Sequence, residues 1–161
     1  MAIEKVRAYF QALGQEEKIR EFDVSSATVE LAAQAVGCEG ARIGKTLSFV
    51  DGEGATLIVC AGDAKIDNSK FKAQFHHKAS MLTPEQVESF TGHTIGGVCP
   101  FAITHPGVTA YLDVSLKRFE TVFPAAGSAN SAIELTLEEL EKYSRSAGWI
   151  DVCKGWQEET V

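Results

Sequence analysis

A chain of 161 residues, 45% hydrophobic and 23% charged, suits one ordinary soluble domain, and no apolar run in it approaches the length of a membrane span. Its net charge of −7 argues against a protein that coats nucleic acid through many cationic contacts, and its four cysteines, Cys38, Cys60, Cys99 and Cys153, are too scattered for a disulfide framework or a zinc site. The N-terminal MAIEKVRAYF lacks the apolar core of a signal peptide, so a cytoplasmic protein with reduced, mostly buried thiols, no metal and no cofactor is expected.

Val6, Phe10 and Leu13 recur at helical spacing and predict a first helix over about 3–13, stopped by Gly14. EFDV at 21–24 reads as a short strand. Ser26 is placed to cap a second helix, TVELAAQAV, ended by Gly37. RIGKTLSFV and ATLIVCAG flank DGEG, which predicts a hairpin. Asp67 caps a helix over NSKFKAQF, and Thr83 followed by Pro84 opens another over PEQVESF. VTAYLDVSL, TVFPAA and SAIEL are further strands, Thr136 caps a last helix over LEELEKYSR that stops by Gly148, and WIDVCKGW packs back as a strand or coil. No repeat or linker divides the chain, so one domain over 1–161 is expected. Hairpins and directly joined strands mixed with helices predict an α+β fold on a mixed sheet.

Three stretches draw attention as chemistry. Lys45 sits in the middle of an apolar strand, and alternation puts it on one face with Ile43 and Leu47, where a lysine is costly unless it reaches water or an anion. Gly44-Lys45-Thr46 resembles the end of a phosphate-binding P-loop, but Glu39 stands where that motif needs glycine. In TIGGVCPFAI, Gly96 and Gly97 allow another group to approach the backbone, Pro100 stiffens the exit, and Cys99 raises the question of a nucleophile flanked by His93 and His105. No local signature of a Cys-His enzyme surrounds Cys99, which favours a small residue shaping a pocket. Lys65, Lys70, Lys72 and Lys78, with His76 and His77, form a local basic stretch in an acidic chain.

KTL at 45–47, GGVCP at 96–100 and FPAAGSANSAIEL at 123–135 follow one another in the order seen in the YbaK family, which the chain resembles over nearly its whole length. That family is related to the editing insertion of bacterial prolyl-tRNA synthetases. The resemblance implies a β-barrel-like mixed sheet surrounded by helices and a trans-editing activity, hydrolysis of the ester joining a wrong amino acid to tRNA, typically tRNA-Pro. It makes Lys45 the functional lysine, and Gly96 and Pro100 the ends of a G-x-x-x-P loop. Backbone N–H groups around Gly97–Cys99, Gly97 first among them, are expected to meet the ester carbonyl. Gly96, Val98, Cys99, Pro100, Phe101, Gly127 and Ser128 are expected beside the substrate, and Lys65, Lys70, Lys72 and Lys78 near the tRNA. Two departures stand out. Cys99 replaces a frequent Ser or Thr, and Ala102 replaces a frequent Gly, and both are expected to bear on amino-acid specificity.

A lysine of ordinary pKa, about 10.4, is charged at neutral pH and suits electrostatic work rather than a base role. A small pocket would reject Pro and admit Ala, Cys or Ser, with Ala or Cys the expected acyl group. Overall acidity implies weak tRNA affinity and help from a docking partner such as prolyl-tRNA synthetase. The rival readings are a non-catalytic binding or regulatory module for aminoacyl-tRNA, and a Cys99 hydrolase.

Overall fold

The computed structural model describes residues 2–156. In chain order the elements are α1 (Ala2–Ala12), β1 (Ile19–Glu21), α2 (Val29–Val36), β2 (Ile43–Asp51), β3 (Gly54–Ala61), β4 (Lys65–Ile66), α3 (Asn68–Phe75), α4 (Pro84–Thr91), β5 (Val108–Asp113), β6 (Thr121–Pro124), β7 (Ser131–Ile133), β8 (Leu135–Thr136), α5 (Leu137–Tyr143), β9 (Trp149–Ile150) and β10 (Cys153–Lys154). Six strands form one mixed sheet in the order β8-β6-β2-β3-β5-β9, curled into a half-barrel and flanked by the five helices. The expected α+β architecture is therefore present.

The centre is the β2–β3 hairpin. Asp51 and Gly54 close a two-residue turn at Gly52, whose φ of 59° suits glycine, and eight residue pairs zip back from it. β3 runs parallel to β5, so both its edges are occupied, and every residue from Ala55 to Ala61 is buried. That is why ATLIVCA reads as a continuous apolar run rather than an alternation. β2 is different. On its far side it pairs with β6 only at Ile43 and Gly44.

An 11-residue helix is marginal alone, and α1 depends on the buried Val6 and Phe10. Phe10 meets Phe101 edge-on at 4.9 Å and Tyr143 at 5.6 Å, tying the first helix to the loop after α4 and to α5. Leu13, expected on the buried face, lies beyond the helix end and is exposed. Asp67 and Thr83 cap as expected, and Thr83 and Thr136 both form full capping boxes.

Several boundaries move. Thr28, not Ser26, caps α2: it directly precedes the first helical residue and accepts from Leu31 N–H at 3.2 Å. The first strand is Ile19–Glu21 rather than 21–24, because its partner is β7. SAIEL divides into β7 and β8, which pair with different strands. The last helix ends at Tyr143, and Arg145 turns left-handed with φ 52°. The tail forms two short strands, and the buried Asp113 carboxylate accepts from Val152 N–H at 2.9 Å to hold it.

Ala102 has φ 58°, a conformation that costs a residue with a Cβ roughly 1–2 kcal/mol. Ala102→Gly relieves that strain, less the lost methyl contact and the greater freedom of the unfolded chain. It should raise stability by up to about 1 kcal/mol, or ~2–4 °C in thermal midpoint for a domain of this size. A fall of more than that amount in a melting experiment would show that methyl packing dominates.

Candidate active site

Beyond Gly44, β6 leaves the side of β2. Further along, the same edge is occupied again: Val50 N–H donates to Ser80 C=O at 2.8 Å and Leu82 N–H to Ser48 C=O at 3.1 Å. On this edge, residues 45–47 between the two pairings have no strand beside them among the described residues. Backbone polar groups alternate sides along a strand. Since Gly44, Ser48 and Val50 bond towards this edge, Thr46 also turns its N–H and C=O there.

A cavity of about 310 Å³ occupies the gap. All six residues from Ile43 to Ser48 line it, because it runs along the strand's edge rather than over one face. Ser26, Ala27, Thr28, Val29 and Ala32 form another wall, Leu82, Val87, Phe123 and Ala125 deepen it, and Gly96 and Val98 border it from the loop after α4. Met81 and Ile95, two of the most exposed large apolar side chains, also line it.

Lys45 is the one charged side chain on this wall among the described residues. It is half-buried, and its Nζ reaches Gly62 C=O at 3.5 Å, the outer limit of a hydrogen bond. The nearby Asp63 is committed elsewhere. Arg118 grips its carboxylate in a two-pronged pair, one arm at 2.9 Å, and the Arg118 hydrogen bond, opposed by partial burial and helped by the Lys45 charge, holds the Asp63 carboxyl below the usual range. Lys45 thus has no ion pair among the described residues.

The GGVCPF loop divides in two. Gly97 N–H donates to Thr94 C=O at 3.0 Å, closing a turn in which Gly96 has φ 95°. A Cβ on Gly97 would lie 2.7 Å from the Ser128 backbone, so glycine here lets the loop seat on the 127–128 turn. Gly96 and Val98 then face the cavity. Cys99 and Phe101 are fully buried in the main core, and Pro100 and Ala102 line a separate cavity with Tyr9 and Arg145.

Several site expectations therefore change, Pro100 among them, since it lies on the second cavity and not beside Lys45. The Gly97 N–H is already used within the turn and is not free for an ester carbonyl. Cys99 does not line the Lys45 cavity. Phe101 anchors the loop through Phe10 rather than meeting substrate. Gly127 and Ser128 support the loop from behind, with Ser128 Oγ 2.7 Å from the Ser131 hydroxyl, and it is Ser131 that lines the cavity. Ala102, too, belongs to the second cavity, and its left-handed φ accounts for glycine at that position.

Cys99 is also unsuited to nucleophilic attack. Burial pushes its thiol up to about 12, and the nearest base candidate is occupied. His93 Nε2 lies 3.0 Å from Phe101 C=O, so that nitrogen carries the proton and donates it there, while facing Cys99 Sγ at 3.5 Å. A protonated thiol beside an N–H donor has no base. His105 accepts from Gly107 N–H and packs edge-on against Phe90 instead.

The four lysines expected near the tRNA sit in different local surroundings. Lys65 lies on β4 beside Lys154 of β10. Lys70 is engaged by Asp151 at 3.0 Å and by Cys153 C=O at 3.1 Å. Lys72 stands two residues further on α3 and so on another face, and Lys78 lies beyond the helix. Sequence reasoning missed the open edge at 45–47, Ser26, Met81 and Ile95. Strand pairing alone reveals the first, and nothing local marks the others.

The half-barrel sheet, with Lys45 at an open strand edge bordered by Gly96 and Val98, fits the YbaK-type editing domain that the sequence resembles. The chain belongs to the aminoacyl-tRNA editing domain family, whose sequence profile matches residues 23–143. It is 56% identical over 159 residues to the uncharacterized protein YwhH of Bacillus subtilis (strain 168), covering 98% of this chain and 100% of that one. Among solved structures, a candidate trans-editing enzyme for prolyl tRNA synthetase matches with a TM-score of 0.85 at 32% identity, over 96% of this chain and 98% of its own. The hypothetical protein APE2540 matches with a TM-score of 0.81 at 25% identity, over 93% and 99%.

His93 gives the site's support a pH signature. Burial holds its pKa below the ordinary imidazole value, with the Phe101 bond opposing and Lys5 adding slightly. The unfolded chain takes up a proton near pH ~6.5, before the folded chain does, so acid favours unfolding below that pH. The thermal midpoint should fall between about pH 7.5 and 5.5, and His93→Asn should flatten that part of the profile. An equal slope in the variant would assign the effect elsewhere.

Proposed function

We propose that this protein is a single-domain, cytoplasmic deacylase that hydrolyses the ester of misacylated tRNA in trans, with tRNA-Pro the expected carrier and alanine or cysteine the expected acyl group. The observation that carries the reading is Lys45: a half-buried cation, without an ion pair among the described residues, on the wall of a largely apolar cavity and beside unpaired strand backbone. Such a cation is costly unless an anion comes to it. The terminal nucleotide of an aminoacylated tRNA supplies one as phosphate.

With Lys45 on the terminal phosphate or ribose, the acyl group enters the cavity. Hydrolysis of an ester needs a placed water, donors where negative charge develops on the carbonyl oxygen, and a proton for the leaving ribose oxygen. Thr46 N–H at the open edge, and the backbone of Gly96 and of Val98 bordering the same cavity, are the donors in reach of one cavity; each such donor is typically worth ~3 kcal/mol in the transition state. The substrate's own vicinal ribose hydroxyl can activate the water and share the proton. An aminoacyl ester is reactive enough that no side-chain nucleophile is required.

Selection follows from steric walls. The cavity's apolar lining rejects what is too large, whereas discrimination against a smaller acyl group is worth only about 1–3 kcal/mol per methylene. A binding-only module is the rival, and it predicts substrate affinity without turnover. The free cations near the site are few, and prolyl-tRNA synthetase docking would supply affinity that direct phosphate contacts do not.

A deacylation panel with Ala-, Cys-, Ser-, Thr- and Pro-charged tRNA-Pro tests the activity directly. Lys45→Ala should lower kcat/KM roughly 10- to 150-fold, the equivalent of ~1.5–3 kcal/mol for a charged hydrogen bond, with the fold intact by circular dichroism. Wild-type turnover in that variant would remove Lys45 from the site. Cys99→Ala should keep activity within about threefold, whereas loss of a nucleophile would cost ~10³ or more. The slope of log kcat/KM against log salt should be shallow, about −0.7 to −2, as for one to three phosphate contacts; a steeper slope would demand a cationic surface that these lysines do not make.

A further inference from the structure

The cavity wall carries two fully buried hydroxyls that meet no partner among the described residues. Thr28 Oγ1 is occupied in capping α2, and Ser131 Oγ is bonded to Ser128. Ser26 Oγ and Thr46 Oγ1, by contrast, are buried and meet no partner among the described residues. Ser26 is only 8% exposed, and its N–H is pinned to Ala129 C=O at 2.6 Å. The two come from different elements, the segment before α2 and the middle of β2, and both line the one cavity. Buried polar groups are nearly always hydrogen-bonded, so two orphans on the wall of one cavity point to a polar ligand group.

The chemistry of the wall says which group. No Asp, Glu, His, Cys or Tyr lines the cavity among the described residues, and Lys45 is its one ionisable group. A cationic ligand group would therefore meet a like charge and no carboxylate. A neutral amine has two N–H donors and one lone pair. Two hydroxyls, each able to donate or accept, together with the Thr46 C=O at the open edge, match that set. The remaining lining, including Val29, Ile43, Leu47 and Val87, suits an acyl side chain without polar atoms.

We infer that Ser26 and Thr46 receive the α-amino group of the aminoacyl ester in its uncharged form. The inference rests on the editing reading above and deepens it: the site recognises an amino acid ester as such, and takes it after the ammonium has given its proton to solvent. An ordinary α-amine has a pKa of about 7.7–8.0, so the neutral form is a substantial minority at neutral pH. The site thus favours esters bearing a free amine over the same acyl group without one.

The test compares tRNA-Pro carrying an alanyl or a propionyl ester, alike in carbon skeleton but for the amine. Hydrolysis is followed with wild type, Ser26→Ala, Thr46→Val and Thr46→Ser, after subtraction of the enzyme-free rate. Wild type should prefer the alanyl ester at least about tenfold, and Ser26→Ala and Thr46→Val should each cut that ratio about fivefold or more. Thr46→Ser, which keeps the hydroxyl, should hold it within about twofold. The alanyl-to-propionyl ratio in wild type should also rise with pH between about 6.5 and 8.5 as the amine loses its proton. Thr46→Val should melt no lower than wild type, because it removes a hydroxyl that bonds nothing in the free protein. A ratio unchanged in both hydroxyl-deleted variants, or one that falls as pH rises, overturns the inference and leaves ester hydrolysis standing. A wild type that hydrolyses neither ester overturns the editing reading and this inference with it.

Discussion

The edge of β2 is the constraint on which the site depends. Two residues pair with β6, three stand open, and the edge is then bonded again by Ser80 and Leu82. An open strand edge is ordinarily a hazard, because it invites pairing with another chain. Here the gap is three residues long and walled by Ser26–Val29 on one side and Gly96–Val98 on another. A foreign strand cannot enter so short a slot, whereas the small acyl group of the proposed substrate fits its scale. The protein thereby obtains preformed backbone donors and acceptors inside an apolar cavity without exposing a sticky edge.

Placement of Lys45 follows from the same geometry. At the start of the gap, its side chain runs towards Gly62 at the end of β3 and finds a carbonyl at the limit of bonding distance. Arg118 removes a nearby carboxylate, Asp63, by holding it in a two-pronged pair. Were Asp63 free, it would neutralise Lys45 and occupy the position an incoming anion needs. Arg118 also stacks over Phe119 and Trp156 and bonds the Trp156 carbonyl, so the clamp is fixed by the chain's far end. A distant tail thus keeps the cavity's cation available.

How much of this could be read from residues alone differs by element. Helix caps at Asp67, Thr83 and Thr136 are local chemistry, and they were legible. The hairpin at Gly52 was legible for the same reason. Ser26 was assigned to a cap because its residue type suits one, but Thr28 stands closer to the helix and took that role, leaving the Ser26 hydroxyl turned inward. SAIEL reads as one strand because its apolar pattern is continuous; only its partners, β1 and then β6, divide it. TIGGVCPFAI was singled out correctly as unusual backbone, yet which half faces the cavity depends on Phe10 from the opposite end of the chain drawing Phe101 into the core. Non-local pairing decides these cases, and local patterns carry no trace of it.

The loop's division explains why a suspicious cysteine can sit in a site without serving it. Gly96 and Val98 must be held rigidly at the cavity for their backbone to be useful, and a surface loop alone would not hold them. Cys99, Pro100 and Phe101 act as a plug: three buried residues immediately downstream, fastened by His93 to the Phe101 carbonyl and by Phe10 to the ring. Gly97 locks the upstream side against Ser128. Polarity and reactivity are unwanted in such a plug, and the high thiol pKa is a consequence of good packing rather than a sign of chemistry. In the proposed reaction, backbone held in this way takes the place of a side-chain catalyst.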